Sequence, residues 1–178
     1  DLFLVSSERE KEYIVQDFGY RPDEVAVTGL SRFDALFDGQ TPEVPGQILV
    51  LPTWRDWLQD PDVFTTTEYF QQWRDFLTSP RLATMLQEHD AHVVFCLHPN
   101  MQHFTQHFEA DGVRVVHQGE VDVQRLLKES AALVTDYSSP GFDFSFLDKP
   151  VVYFQFDTQR FLGRWGSHLD LPNELPGP

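Results

Sequence analysis

The sequence predicts an α/β protein whose main part is a parallel sheet of about five strands flanked by helices. Two observations carry this. Short apolar runs of strand length alternate with stretches that repeat apolar residues every three or four positions, the signature of strands alternating with helices. The runs are also apolar at consecutive positions rather than every second one, as expected of strands covered on both faces.

Taken in order, Leu2 to Val5 reads as a strand. Ser7-Glu8-Arg9-Glu10 has a capping-box pattern that opens a helix to about Phe18, closed by Gly19. Val25 to Val27 is a second short strand, and a short helix runs after Gly29 through Phe37. Residues 38–46 (DGQTPEVPG) gather two Pro and two Gly among polar residues and read as a linker. Beyond it, strands are expected at Ile48–Leu51, His92–Leu97, Val113–Val116, Ala132–Thr135 and Val151–Phe154. Helical spacing covers Glu68–Leu77, Arg81–Glu88, Gln102–Phe108, Val123–Glu129 and Phe142–Leu147. The division expected is therefore 1–37, a linker at 38–46, and a domain at 47–178.

Composition narrows the function. The 178 residues are 41% hydrophobic and 14% aromatic, far from the composition of disordered chains. Thirteen Lys and Arg against 28 Asp and Glu give a formal charge of −15, which repels a nucleic-acid backbone, so no nucleic-acid partner is expected. A small phosphate site needs only a few placed donors and remains open. The single cysteine, Cys96, lies inside an apolar run and is read as a buried thiol. No apolar stretch approaches the ~20 residues of a bilayer-spanning helix, and the first residues lack a basic signal-peptide head. The opening on an apolar run without Met suggests a piece of a longer protein.

In parallel α/β sheets, ligands sit beyond the carboxyl ends of the strands. Those ends are polar here: Pro52-Thr53-Trp54-Arg55-Asp56, His98-Pro99-Asn100, Asp136-Tyr137-Ser138-Ser139-Pro140 and Gln155-Phe156-Asp157. Ser139-Pro140 looks like a helix start whose free N–H groups and two hydroxyls suit a phosphate or carboxylate, with ordinary capping as the plainer reading. Arg55 offers fork geometry to an anion, or else a surface pair with Asp56, and Thr53 adds a hydroxyl. His98 is placed to donate to a diphosphate oxygen or protonate a leaving group, or else is structural.

Other features read as structure. His103 and His107 have the spacing of a helical metal pair but lack a third ligand in sequence, so no metal site is assigned. Tyr69–Leu77 reads as a packed helix face, and Glu8, Glu10, Glu12 and Asp17 as a solvated one. No Gly-x-Gly-x-x-Gly, P-loop or Gly-x-Ser-x-Gly occurs, against the usual NAD enzymes, P-loop NTPases and α/β-hydrolases, and no cofactor is expected.

Five segments in order resemble the CDP-glycerol glycerophosphotransferase family of teichoic acid polymerases and primases. Val27-Thr28-Gly29-Leu30-Ser31-Arg32-Phe33-Asp34 is similar to the family's V-T-G-x-P-R-x-D, with Ser31 where Pro is usual. Residues 48–56 (ILVLPTWRD) are similar to its strand followed by P-T-x-R-D, and His98-Pro99-Asn100 to its H-P segment. Residues 132–150 (ALVTDYSSPGFDFSFLDKP) carry the most specific likeness, to L-I-T-D-Y-S-S-x-x-F-D-x-x-x-L-x-K-P. Asp157 and Pro176-Gly177-Pro178 fit its Y-D and P-G-P, and 163–166 only loosely its R-G segment.

The resemblance implies the carboxy-terminal half of a two-domain GT-B fold, with residues 1–37 the tail of the acceptor-side domain. It implies transfer of glycerol or ribitol phosphate from CDP-glycerol or CDP-ribitol to a polyol-phosphate polymer or lipid-linked acceptor, releasing CMP. The setting implied is the cytoplasm, at the inner face of a bacterial plasma membrane. It places His98 as the catalytic residue of this part and Thr53, Arg55, His98, Asp122, Asp136, Ser138, Ser139 and Asp157 around the donor. Nothing in the sequence matches the family's His-Gly-Thr segment, which carries the proposed base, so this part alone is expected to bind donor without turnover. The rivals are a nucleotide-sugar glycosyltransferase or epimerase on the same fold, and a non-catalytic module for phosphorylated ligands.

Overall fold

A computed structural model describes residues 2–163 apart from residues 38 and 118. The loose likeness at 163–166 beyond Gly163 and the Pro176-Gly177-Pro178 segment lie outside the described residues. The chain divides into two compact units, Asp1–Gln40 and Thr41–Pro178.

The first unit is one strand-helix-strand turn. Strand β1 (Phe3–Val5) pairs in parallel with β2 (Val25–Val27) through helix α1 (Glu8–Phe18). Ser7 caps α1 by accepting from the Glu10 N–H at 3.2 Å. The reciprocal arm lands one residue earlier than a capping box would place it, since the Glu10 carboxylate accepts from the Ser6 N–H and hydroxyl. Gly19 closes α1 at φ 72°, a left-handed conformation in which a side chain is strained. Val5, Ile14 and Val25 form the small core.

The second unit is the expected five-stranded sheet. Its strands are β3 (Gln47–Leu51), β4 (His92–Leu97), β5 (Val113–His117), β6 (Ala132–Thr135) and β7 (Val151–Tyr153), all parallel in the order β5-β4-β3-β6-β7. The central strands are apolar at consecutive positions, Ile48 to Leu51 in β3, Val93 to Leu97 in β4 and Ala132 to Val134 in β6, because each face is covered. Val50, Val93, Phe95 and Leu97 point toward α3 (Glu68–Leu77), α4 (Pro80–Glu88) and the segment Pro99–Phe108, packing with Tyr69, Phe70, Trp73, Phe104 and Phe108. Leu49, Leu51, Val94, Cys96 and Leu133 pack on the other face against Leu126 and Leu127 of α5 (Val123–Glu129) and Phe144 of α6 (Pro140–Phe146). A period-two pattern is thus present but masked, since both phases are apolar.

Several expectations shift. Pro99–Phe108 is wound as a 3₁₀ helix, not the α-helix expected from Gln102. Strand β7 ends at Tyr153 rather than Phe154, while α6 starts at Pro140, as the Ser139-Pro140 pair predicts. The short helices α2 (Pro61–Phe64) and α7 (Thr158–Gly163) were not expected. The expected linker is only partly one. Val44 N–H donates to the Glu129 carbonyl and Glu43 pairs with Lys149, which ties that stretch to the second unit. Cys96 is buried, and Tyr69, Phe70, Trp73 and Leu77 form the packed face expected of α3. Among the described residues no helix is long and apolar enough to cross a membrane.

Candidate functional site

The strand order reverses between β3 and β6: from β3 the chain proceeds outward to β4 and β5, then returns to β6 on the other side. Loops leaving the two strands diverge there and open a crevice. A cleft of about 550 Å³ occupies it, lined by Leu51, Pro52, Thr53 and Trp54 after β3, His98 after β4, Val123 at the start of α5, and Tyr137, Ser138, Ser139 and Pro140 after β6.

The crevice is stitched across the two strands. Thr135 Oγ1 donates to the Leu51 carbonyl at 2.7 Å, and the Thr53 N–H donates to Asp136 Oδ1 at 2.8 Å. The Tyr137 N–H lies 2.7 Å from the same Oδ1 and 3.3 Å from Thr53 Oγ1, which accepts from it. The carboxylate of Asp136, wholly buried, therefore fixes the backbone of both loops.

His98 stands at the cleft wall with its ring nearly parallel to that of Trp54, centroids 5.7 Å apart at 15°. Its Nδ1 accepts from the Asn100 N–H at 3.2 Å. An accepting Nδ1 fixes the neutral tautomer with the proton on Nε2, which makes Nε2–H a donor. Burial pushes the His98 pKa below its ordinary value of 6.5, favouring that neutral form.

Ser138 and Ser139 line the cleft, and neither hydroxyl has a hydrogen bond among the described residues. The expected capping role is absent. Ser139 sits at φ −59°, ψ −27°, already helical, and its side chain makes no cap bond, while the carbonyls of Ser138 and Ser139 accept from Gly141 and Phe142.

Arg55 departs from its expected place. Its side chain is wholly buried behind the loops and does not line the cleft. Nε and Nη2 grip Asp157 at 2.8 and 2.9 Å, Nη2 also meets Asp136 Oδ2 at 2.8 Å, and Nη1 donates to the Thr53 carbonyl at 2.8 Å. Neither reading from sequence, an anion ligand at the mouth or a surface pair with Asp56, describes this. Burial alone would lower the guanidinium pKa; the Asp157 hydrogen bonds and the charges of Asp136 and Asp157 outweigh it and hold it above the usual value. Rings of Phe161, Tyr137, Tyr69 and Trp57 surround its Cζ at 4.6, 5.1, 5.2 and 5.9 Å.

Asp157 is thus a partner of Arg55 rather than a cleft residue. Asp122 caps α5 by accepting from the Gln124 N–H at 2.9 Å and is exposed one residue before Val123, at the rim. Two residues not singled out from sequence belong to the site. Trp54 is the ring on which His98 stacks. Tyr137 stacks on Phe161 at 4.1 Å and donates its hydroxyl to Thr158 at 3.0 Å, its phenol pushed up to about 12 mainly by burial. Among the described residues no group of three His, Cys, Asp or Glu could hold a metal ion.

A parallel sheet in this order, flanked by helices and with a polar cleft at its reversal point, is the Rossmann-like arrangement of a GT-B carboxy-terminal domain. In the solved structure of the wall teichoic acid polymerase TagF the same fold recurs, with a TM-score of 0.67 and 20% identity, covering 100% of this chain and 45% of that one. A Staphylococcus aureus MnaA-UDP structure shares the fold more distantly, at TM-score 0.54 and 16% identity over 88% of this chain and 42% of that one. The family profile described as CDP-Glycerol:Poly(glycerophosphate) glycerophosphotransferase matches residues 1–178, and the chain belongs to that family. Relatives include the minor teichoic acid biosynthesis protein GgaB of Bacillus subtilis, 27% identical over 88% of this chain and 18% of its own length. The teichoic acid ribitol-phosphate polymerase TarK of Staphylococcus aureus is 28% identical over 97% of this chain and 35% of its own. The chain therefore spans less than half of these relatives.

Proposed function

We propose that this chain supplies the donor-binding face of an enzyme that moves an alditol phosphate from a CDP-alditol to a hydroxyl of a teichoic-acid-like polymer, releasing CMP. The observation that carries the reading is the pair of hydroxyls, Ser138 and Ser139, which have no hydrogen bond among the described residues and line one cleft with the Nε2–H tautomer of His98 at the switch point of a parallel sheet. Family membership supplies the donor class.

In this reading Ser138, Ser139, Thr53 and His98 hold the diphosphate, and Asp122 at the rim meets the alditol. An acceptor oxygen forms a bond to the β-phosphorus while the bond from that phosphorus to the CMP oxygen breaks. The departing phosphate ionises near pH 6, as phosphomonoesters do, so it leaves without needing a proton. His98 then serves as a neutral donor to charge gathering on the phosphoryl oxygens, and fixed donors and positioning supply the rate. The acceptor-side base is assigned to polypeptide outside these residues.

Calorimetric titration with CDP-glycerol, CDP-ribitol, CMP, UDP-GlcNAc and NAD tests this. Selective cytidine-nucleotide binding is expected, weakened by more than about tenfold in a Ser138→Ala, Ser139→Ala double variant as donor hydrogen bonds are lost. Preference for UDP-GlcNAc would move the chain to nucleotide-sugar chemistry, and unchanged affinity in the double variant would defeat the hydroxyl assignment.

A further inference from the structure

We infer that Arg55 is a positioning residue of the donor cleft: it holds the loops after β3, β6 and β7 together through Asp136 and Asp157, and touches no ligand itself. The inference rests on the cleft proposed above for its binding arm only.

Three observations carry it. The guanidinium is wholly buried, and its bonds to Asp157, Asp136 and the Thr53 carbonyl take N–H groups from all three of its nitrogens. The charge balance of the cluster is one cation against two carboxylates, net −1, so it has nothing to attract a diphosphate. Its partners in turn hold the backbone that shapes the cleft. Asp136 accepts from the Thr53 and Tyr137 N–H groups, the Gln155 side chain donates to the Asp136 carbonyl at 2.9 Å, and Tyr137 reaches Thr158 just after Asp157. Three sequence-distant loops thus meet on one forked side chain that pairs both Asp157 oxygens through two parallel N–H groups while reaching Asp136 and the Thr53 carbonyl, a planar geometry that a lysine ammonium does not reproduce.

Hydrogen exchange in the ligand-free 178-residue chain and calorimetry with CDP-glycerol test this on Arg55→Met, Arg55→Lys, Asp157→Asn and the Arg55→Met, Asp157→Asn pair. Exchange is expected to rise about tenfold or more in peptides covering 52–57 and 136–141 in each variant while β4 stays protected. Affinity should fall about tenfold in both Arg55→Met and Asp157→Asn, with the pair no weaker than the worse single variant, because all break one network. Rescue by Arg55→Lys, or an unchanged exchange pattern with tighter binding in Asp157→Asn, would make Arg55 a direct anion ligand and overturn the inference. Exchange rising equally in β4 would make Arg55 a general stabiliser and also overturn it. Should Arg55→Met not fold, Asp157→Asn carries both readouts. Should the unmodified chain bind no CDP-glycerol, the functional proposal fails while the exchange pattern still decides the role of Arg55.

Discussion

Trp54 and His98, which leave adjacent strands, lie nearly face to face, with ring centroids 5.7 Å apart and an interplanar angle of 15°. The stack removes water from one side of the imidazole, and the Asn100 N–H occupies its Nδ1. Both effects disfavour the imidazolium. In an NMR titration His98 should therefore titrate below 6.5, and Trp54→Ala should bring it back toward that value. Because the folded pKa is the lower one, the stability owed to neutral His98 is fully present above the unfolded pKa and is lost as pH falls through the folded one. A titration at or above the ordinary value would show that neither neighbour has this effect.

Ser7 and Ser139 both precede helices, yet only Ser7 caps with its side chain. Ser7→Ala should cost about 1 kcal/mol in urea unfolding, and Ser139→Ala less than about 0.5 kcal/mol. Equal losses would mean that the Ser139 hydroxyl has a structural partner after all.

Gly46 and Gly112 both have positive φ, 70° and 74°. A Cβ on Gly46 would come within 2.4 Å of the Asp90 carbonyl oxygen and 2.9 Å of the Ala91 Cα, whereas one on Gly112 would meet nothing within 4 Å. Gly112→Ala should cost about 1 kcal/mol for its backbone conformation, and Gly46→Ala clearly more because backbone must move. Chemical denaturation of the two variants checks the order.

Lys149, which sits in the Lys-Pro pair of the family-like stretch, serves the other end of the sheet. Its Nζ donates to the Lys128 and Ser130 carbonyls at 2.8 and 2.7 Å and pairs with Glu43 at 2.9 Å, closing the end of α5. Lys149→Met should lose about 1–3 kcal/mol of stability and leave CDP-glycerol affinity within about twofold, since it strands carbonyls far from the cleft. A large loss of affinity at unchanged stability would give this lysine a role at the cleft.

The sheet was legible because residues 48–51 and 93–97 are apolar at every position over strand length, the pattern of doubly covered strands, and alternate with helical spacing. The cleft was legible because loops after parallel strands converge by topology, which brings Thr53, His98, Ser138 and Ser139 together. Arg55 was not. Its partners lie 81 and 102 residues away, and spacing along the chain offered Asp56 instead. The winding of Pro99–Phe108 was hidden for another reason: Met101, Phe104 and Phe108 have the i, i+3, i+7 spacing of an α-helix face, so the pattern points to α where the backbone is wound 3₁₀.

The two faces of the sheet differ in kind. Trp73 touches Phe76, Phe95, Phe154 and Phe156 on one side, and the ring centroids of Phe64 and Phe104 lie 3.7 Å apart at 8°, whereas the core of the opposite side holds aliphatic residues, Cys96 and Phe144. One layer is therefore optically loud and the other nearly silent. Near-ultraviolet dichroism and tryptophan emission will follow the packing of α3 while passing over a loosening of α5, which instead needs methyl resonances to be seen.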